Sequence, residues 1–210
     1  LNAGLELGRL WNSWECLLPG YVGLARLHHA SGEWEGANAA LDELRDLPEH
    51  NAQIVRPIVE SWRALFALRQ GDIAAAARWA TTFDPHARDE LCLRWEQSGL
   101  VLARLWLAQG KVREAGQLLD RLLADAENGD RKGRIIEILN LQALVLEAQH
   151  RRDAALQRLL KALLLAELEG YIRVFLDEGA PMMELLRQAR SRGIAPQYVS
   201  RLLSEFDRIP

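Results

Sequence analysis

The sequence predicts an all-α fold, a solenoid of stacked two-helix hairpins closed by a helical cap. Three observations predict it. Gly32, Gly71 and Gly110 recur at intervals of 39 residues, and a further step of 40 reaches His150 in an equivalent context. Self-similarity at this period marks a repeat architecture. Apolar residues on both sides of each junction return with helical spacing, and no segment shows the alternation of a strand.

In chain order, a partial helix over about residues 2–13 comes first. Hairpins are expected at about 19–46, 54–82, 91–127 and 133–168, and a non-repeating cap at 171–210. The third hairpin is the clearest. After Gly110, the residues Val112, Ala115, Leu118, Leu119, Leu122, Leu123 and Ala126 form one helical stripe. Before it, Leu100, Ala103, Leu105, Trp106 and Leu107 give the broader apolar surface of a helix packed on two sides. Glycine at the junction supplies the left-handed conformation that ends the first helix. His150 lacks that freedom, so the fourth junction is expected to cost more.

Within each unit the order is an apolar or aromatic residue, then Leu-Ala, then glycine, then a small residue, which is the tetratricopeptide (TPR) pattern. Tyr21, Leu24, Ala25, Gly32, Trp34, Ala37 and Leu41 show it in the first unit. Ala64, Ala67, Gly71, Ile73 and Ala76 show it more weakly in the second. Ala37, Ala76, Ala115 and Ala155 all fall five residues after a junction, where a small side chain lets two helices approach. The beat exceeds the usual spacing of about 34 residues, so long loops are expected between repeats at Asp46–Gln53, Asp84–Asp89 and Asn128–Lys132. In the cap, Tyr171–Glu178 reads as a short extended or turn-like piece, followed by helices near 181–191 and 196–207. Pro181 and Pro196 suit first-turn positions, and Gly193 the turn between them.

Hydrophobic residues make up 49% of the 210 residues and charged residues 26%, which argues against disorder and is ordinary for a soluble globular protein, with length for one large domain or two small ones. A net charge of -3 does not favour DNA or an anionic membrane. Two cysteines, Cys16 and Cys92, make no disulfide framework and fit a reducing, cytoplasmic setting. The run Leu159–Leu176 is broken by Lys161, Glu167, Glu169 and Arg173, so it reads as a buried helix followed by a loop, not as a membrane span. The chain starts at Leu1 without Met and stops at Ile209-Pro210, so it is expected to be a piece of a larger protein.

Signals for catalysis or metal binding are missing: there is no His-Glu-x-x-His, no Gly-x-Ser-x-Gly and no Cys/His cluster at ligand spacing. His28 and His29 are adjacent and diverge on a helix. Gly129–Gly133 reads as a polar loop because no Ser or Thr follows it to complete a phosphate cradle. No catalytic residue, no metal and no cofactor are expected. An enzyme of the α/α-toroid class would need two acids converging in a deep pocket, and no such pair stands out.

A solenoid of hairpins offers a concave groove lined by the first helix of each unit. The candidate lining is Arg26 and His29, then Ser61 and Trp62, then Trp95, Gln97 and Arg104, then Glu137 and Asn140. Arg26 and Arg104 both follow Leu-Ala directly. Two readings are open for Arg104: an anchor for an anionic or polyhydroxy ligand, or a structural partner of Glu96 or Glu137. Trp34 and Trp106 match aromatic positions that fill hairpin cores, whereas Trp62 and Trp95 fall off that pattern, and for them core filling and a ligand face both stay open. From Ala180 onward five Arg face Glu184, Glu205 and Asp207, a surplus too thin for a DNA-reading unit, so the last helices read as a cap.

The strings Leu102–Gly110 and Ile138–Leu144 resemble the helical repeats of large ATP-binding LuxR-type transcription regulators of the maltose-regulon activator kind. The cap string Glu169–Met182, with Arg192–Tyr198 and Leu202-Leu203, is similar to the segment that closes the repeat region in that family. The resemblance implies a right-handed superhelix that receives an inducer or a regulatory protein and biases self-association. It places ATP in an N-terminal part, and DNA on a C-terminal helix-turn-helix, both outside this chain. The alternative is a protein–protein adaptor whose groove takes a peptide and no small molecule.

Overall fold

A computed structural model describes residues 2–11, 13–45, 49–83 and 92–208. It is all-α, with twelve helices and no strand among the described residues. In order they are α1 (Asn2–Leu10), α2 (Trp14–Ala30), α3 (Trp34–Asp42), α4 (Glu49–Arg69), α5 (Ile73–Ala80), α6 (Cys92–Ala108), α7 (Val112–Asn128), α8 (Lys132–Ala148), α9 (Arg152–Glu169), α10 (Arg173–Leu176), α11 (Gly179–Ser191) and α12 (Pro196–Phe206). None is long and apolar enough to cross a membrane. The chain divides into two compact units, Leu1–Val101 and Leu102–Pro210, and the division falls inside α6.

One device closes every hairpin. Gly32, Gly71, Gly110 and His150 all have positive φ, at 76°, 83°, 74° and 59°. In each case the amide one residue further on donates to a carbonyl five residues back: Glu33 to His28, Asp72 to Ala67, Lys111 to Trp106 and Arg151 to Leu146, at 2.8–2.9 Å. This pairing satisfies carbonyls that the end of a helix leaves open. His150 therefore adopts the left-handed geometry its position demands, at the steric cost that a side chain brings. Two turns between helices of different hairpins, or between a hairpin and the cap, close in the same way. Arg131 donates to Ala126 beside Asp130, and Tyr171 donates to Ala166 beside Gly170.

Small residues set the distance between paired helices. Ala37, Ala76, Ala115 and Ala155 are at most 1% exposed, as the spacing predicts. A second small register lies seven residues before each junction: Ala25, Ala64, Ala103 and Ala143 are all buried. With alanine on both helices of a hairpin the backbones come close, and the larger Leu41, Leu119 and Leu159 fill the space beside them.

The long beat has a different origin from the one expected. The turn between α7 and α8 is as short as the turns within hairpins, and the extra residues lie in helices of 17 residues each at α6, α7 and α8. The expected loop at Asp46–Gln53 is likewise mostly helix, because α4 begins at Glu49. The loop expected at Asp84–Asp89 lies outside the described residues. Helices α2 and α4 begin five residues upstream of the predicted starts and carry Pro19 and Pro57 inside them. Tyr171–Glu178 is not extended: it contains the single-turn helix α10. Pro196 opens α12 as predicted.

The first unit packs Leu5, Leu17, Tyr21, Leu41, Val55, Val59 and Phe66 into one core. At its edge Glu43 accepts hydrogen bonds from Tyr21 (2.9 Å) and Arg9 (2.8 Å), which ties α1 and α2 to the end of α3. The second unit buries both faces of α8 from Ile138 to Val145, and the cap closes it with Phe175, Met182, Leu185, Tyr198 and Leu202. A terminal unit of a repeat array requires such a cover. Helix α9 is one-sided and not wholly buried as predicted: Leu159 and Leu163 are inside, but Leu164 is 55% and Leu168 87% exposed.

Candidate functional site

The candidate residues of the first unit come together in an aromatic ladder. Phe66 of α4 stacks on His29 of α2, with centroids 4.4 Å apart and planes at 20°. His29 meets Trp34 of α3 edge-on at 4.6 Å. One helical turn before Phe66, Trp62 lies 6.0 Å from it, and the Arg26 guanidinium sits 5.5 Å above the Trp62 ring. The ladder thus runs Arg26, Trp62, Phe66, His29, Trp34 across α2, α4 and the start of α3. Its inner rungs are buried. At its ends Arg26 is exposed, Trp62 is half-buried and Trp34 is 44% exposed.

Trp34 therefore does not fill the hairpin core. As the first residue of its helix it leans on the edge of His29, and Ala37, Ala40 and Leu41 occupy the core side. Sequence reasoning names Arg26, His29 and Trp62 but misses Phe66. The signal was present, since Phe66 follows Trp62 by four residues and shares its helical face.

Several predicted groove residues are interior. Ser61 is fully buried, and its hydroxyl donates 2.7 Å to the Ile58 carbonyl of its own helix. Gln97 is 3% exposed, and its amide finds no hydrogen-bond partner among the described residues. Asn140 is fully buried and donates 3.2 Å to the Val174 carbonyl of α10, so it anchors the cap and does not line an open surface. Trp95 lies in α6 with its side chain outside those described.

In the second unit Arg104 is a structural link. Its Nε donates to both carboxylate oxygens of Glu178 at 3.2 Å, and its Nη2 pairs with Glu178 and with Glu137, the latter at 2.8 Å. Glu137 also accepts from Arg134 at 2.7 Å. Arg104 and Glu178 are 10% and 6% exposed at their side chains, and the four charges sum to zero. Burial alone would push the Glu137 carboxyl up, but Arg134 and Arg104 outweigh it and pull it down to about 2. For Arg104, burial works against the charge, and Glu178 and Glu137 overcome it, so the guanidinium stays charged. Two acids do meet here, but across a guanidinium. A carboxyl held ionised so far below neutrality cannot donate a proton as a general acid. The sequence suggests the Arg104–Glu137 pairing, but nothing in it points to Glu178, 74 residues away.

Elsewhere in the cap, Tyr198 donates to the Tyr171 carbonyl and meets Phe175 edge-on at 6.2 Å. Burial, aided by Glu167, pushes the Tyr198 phenol up to about 12 against the opposing pull of Arg201. Among the described residues no group of three or more His, Cys, Asp or Glu is arranged to hold a metal ion.

A family model described as MalT-like TPR region matches residues 1–192. The chain is 29% identical over 182 residues to the HTH-type transcriptional regulator MalT of Serratia proteamaculans (strain 568), covering 83% of this chain and 19% of that protein. It is 28% identical over 202 residues to the HTH-type transcriptional regulator MalT of Yersinia enterocolitica serotype O:8 / biotype 1B (strain NCTC 13174 / 8081), covering 88% of this chain and 21% of that protein. The chain spans about a fifth of the length of the curated relatives it matches.

Proposed function

The chain belongs to the MalT-like TPR region family, and on that premise we propose that it is the signal-receiving segment of a LuxR-type transcription regulator, binding an effector or a regulatory protein. The observation that carries the reading is the ladder from Arg26 to Trp34. Aromatic faces with a cation at one end and a half-exposed indole at the other are the furniture of a recognition surface. Its inner rings are locked by burial, so little side-chain entropy is lost on binding. The Arg104 network supports a different role for the second unit, that of fixing the cap firmly on the last hairpin. The segment acts by recognition and not by chemistry. Binding would shift the population of conformers of the intact regulator.

A thermal-shift screen of sugars, aromatic acids and acyl compounds against this chain tests the effector arm, with a saturable rise in melting temperature as the expected result. A second reading, an adaptor that docks a peptide or helix, draws support from the exposed Leu164 and Leu168 on α9. Silence across the screen together with saturable binding of a protein partner would favour it.

A further inference from the structure

We propose that α9 pairs with α9 of a second copy of this chain, the two helices running antiparallel. Helix α9 is apolar on more than one side. Leu156, Leu159 and Leu163 are buried in the second unit, while Leu164 and Leu168, one turn apart, are 55% and 87% exposed. A helix that is apolar all round belongs between two layers, and among the described residues α9 is covered on one side. Its outward residues Gln157, Lys161, Leu164 and Leu168 follow one another at steps of four, three and four, the seam spacing with which one helix packs along another. The charges beside that seam choose the occupant. At about 100° per residue, Arg158, Lys161 and Glu169 fall on one flank of the two exposed leucines, basic toward the middle of the helix and acidic at its end. Lys161 and Glu169 are exposed, and neither is in an ion pair among the described residues. An antiparallel two-fold brings like flanks together with their order reversed, so Lys161 of each copy lies beside Glu169 of the other, and Leu164 and Leu168 pack between them. One helix face buries less than the roughly 800 Å² per partner of a standard complex, so the pair is weak and reversible.

The experiment is sedimentation velocity of the whole chain over a concentration series reaching about 1 mM. The sedimentation coefficient should climb from the monomer value toward the dimer value. Lys161→Glu and Glu169→Lys should each weaken dimerisation about tenfold, because each substitution enters twice across the two-fold. An equimolar mixture of the two variants should recover dimers to near the unsubstituted level, since both contacts are again opposite in sign. Leu168→Ser, at an exposed position, should weaken dimerisation at least about tenfold with circular dichroism unchanged. Dimers that persist in Leu168→Ser, or a mixture no better than either variant alone, would overturn the proposal. So would a chain that stays monomeric across the series, and the α9 face would then be left to a helix of another protein. The effector screen decides the recognition role separately, since none of these outcomes bears on it.

Discussion

Arg104 in α6 and Glu178 at the start of α11 lie 74 residues apart in sequence and face each other as a guanidinium–carboxylate fork, both oxygens of Glu178 at 3.2 Å from Nε of Arg104. With Glu137 and Arg134 they form a neutral, mostly buried quartet. Removing one partner leaves a buried charge uncompensated, which costs about 3–5 kcal/mol. Arg104→Met should therefore be strongly destabilising in urea unfolding. The triple change Arg104→Met, Glu137→Leu, Glu178→Leu should restore most of that loss, because apolar groups of similar volume replace the network without desolvating charge. A triple variant no more stable than the single one would refute this account of the quartet.

The same quartet predicts an acid dependence. Glu137 has its folded pKa lowered to about 2 against an ordinary 4.5. A depressed carboxyl contributes stability that is full above the unfolded value and is lost as pH falls from there toward the folded value. Unfolding free energy should thus drop between about pH 5 and pH 2 in the native chain. Glu137→Gln should flatten that drop, and urea titrations at several pH values would read the difference.

His150 occupies a left-handed position that glycine fills at the other three junctions. His150→Gly should stabilise the chain by roughly 0.5–1 kcal/mol, with the gain partly offset by the freer unfolded chain. Gly110→Ala should destabilise it by about 1–2 kcal/mol. Nothing lies within 4 Å of a Cβ built at Gly110, so that cost would come from the backbone and not from crowding. Thermal unfolding of the two variants separates them by sign.

Neighbouring positions in α7 should respond oppositely. Ala115 is fully buried, so Ala115→Leu overpacks its surroundings and should cost about 1–3 kcal/mol. At Gly116 a new Cβ would meet Val145 Cγ1 at 3.5 Å, an ordinary contact. Gly116→Ala should therefore be tolerated and gain up to about 1 kcal/mol from helix propensity. Denaturant midpoints of the two variants check both signs.

The repeat was legible because its determinants are local. A left-handed junction needs glycine and a close helix crossing needs alanine, and both leave marks at fixed spacing. The beat at Gly32, Gly71 and Gly110 located each hairpin turn, including the one at His150 where the preferred residue is absent. The helix starts were less legible: α2 and α4 begin five residues before the predicted hairpins and run on through Pro19 and Pro57. In the candidate site, Arg26, His29 and Trp62 could be named from position alone. Their joining through Phe66 required the packing of α4 on α2. Glu178 could not have been found, because an ion pair between distant segments follows no period. Ser61 and Asn140 were misplaced on an open groove for a related reason. Their helical phase was right for the first-helix face, but Ser61 folds back on its own helix and Asn140 is claimed by the cap.

The claim that this segment receives the signal is tested most directly in an intact regulator that carries it. Arg26→Ala and Trp34→Ala remove both exposed ends of the ladder while leaving the buried Phe66 and His29 in place. Effector-dependent transcription from a target promoter should fall to near its uninduced level in the double variant, with protein abundance and helicity unchanged. A full response from that variant would contradict the account.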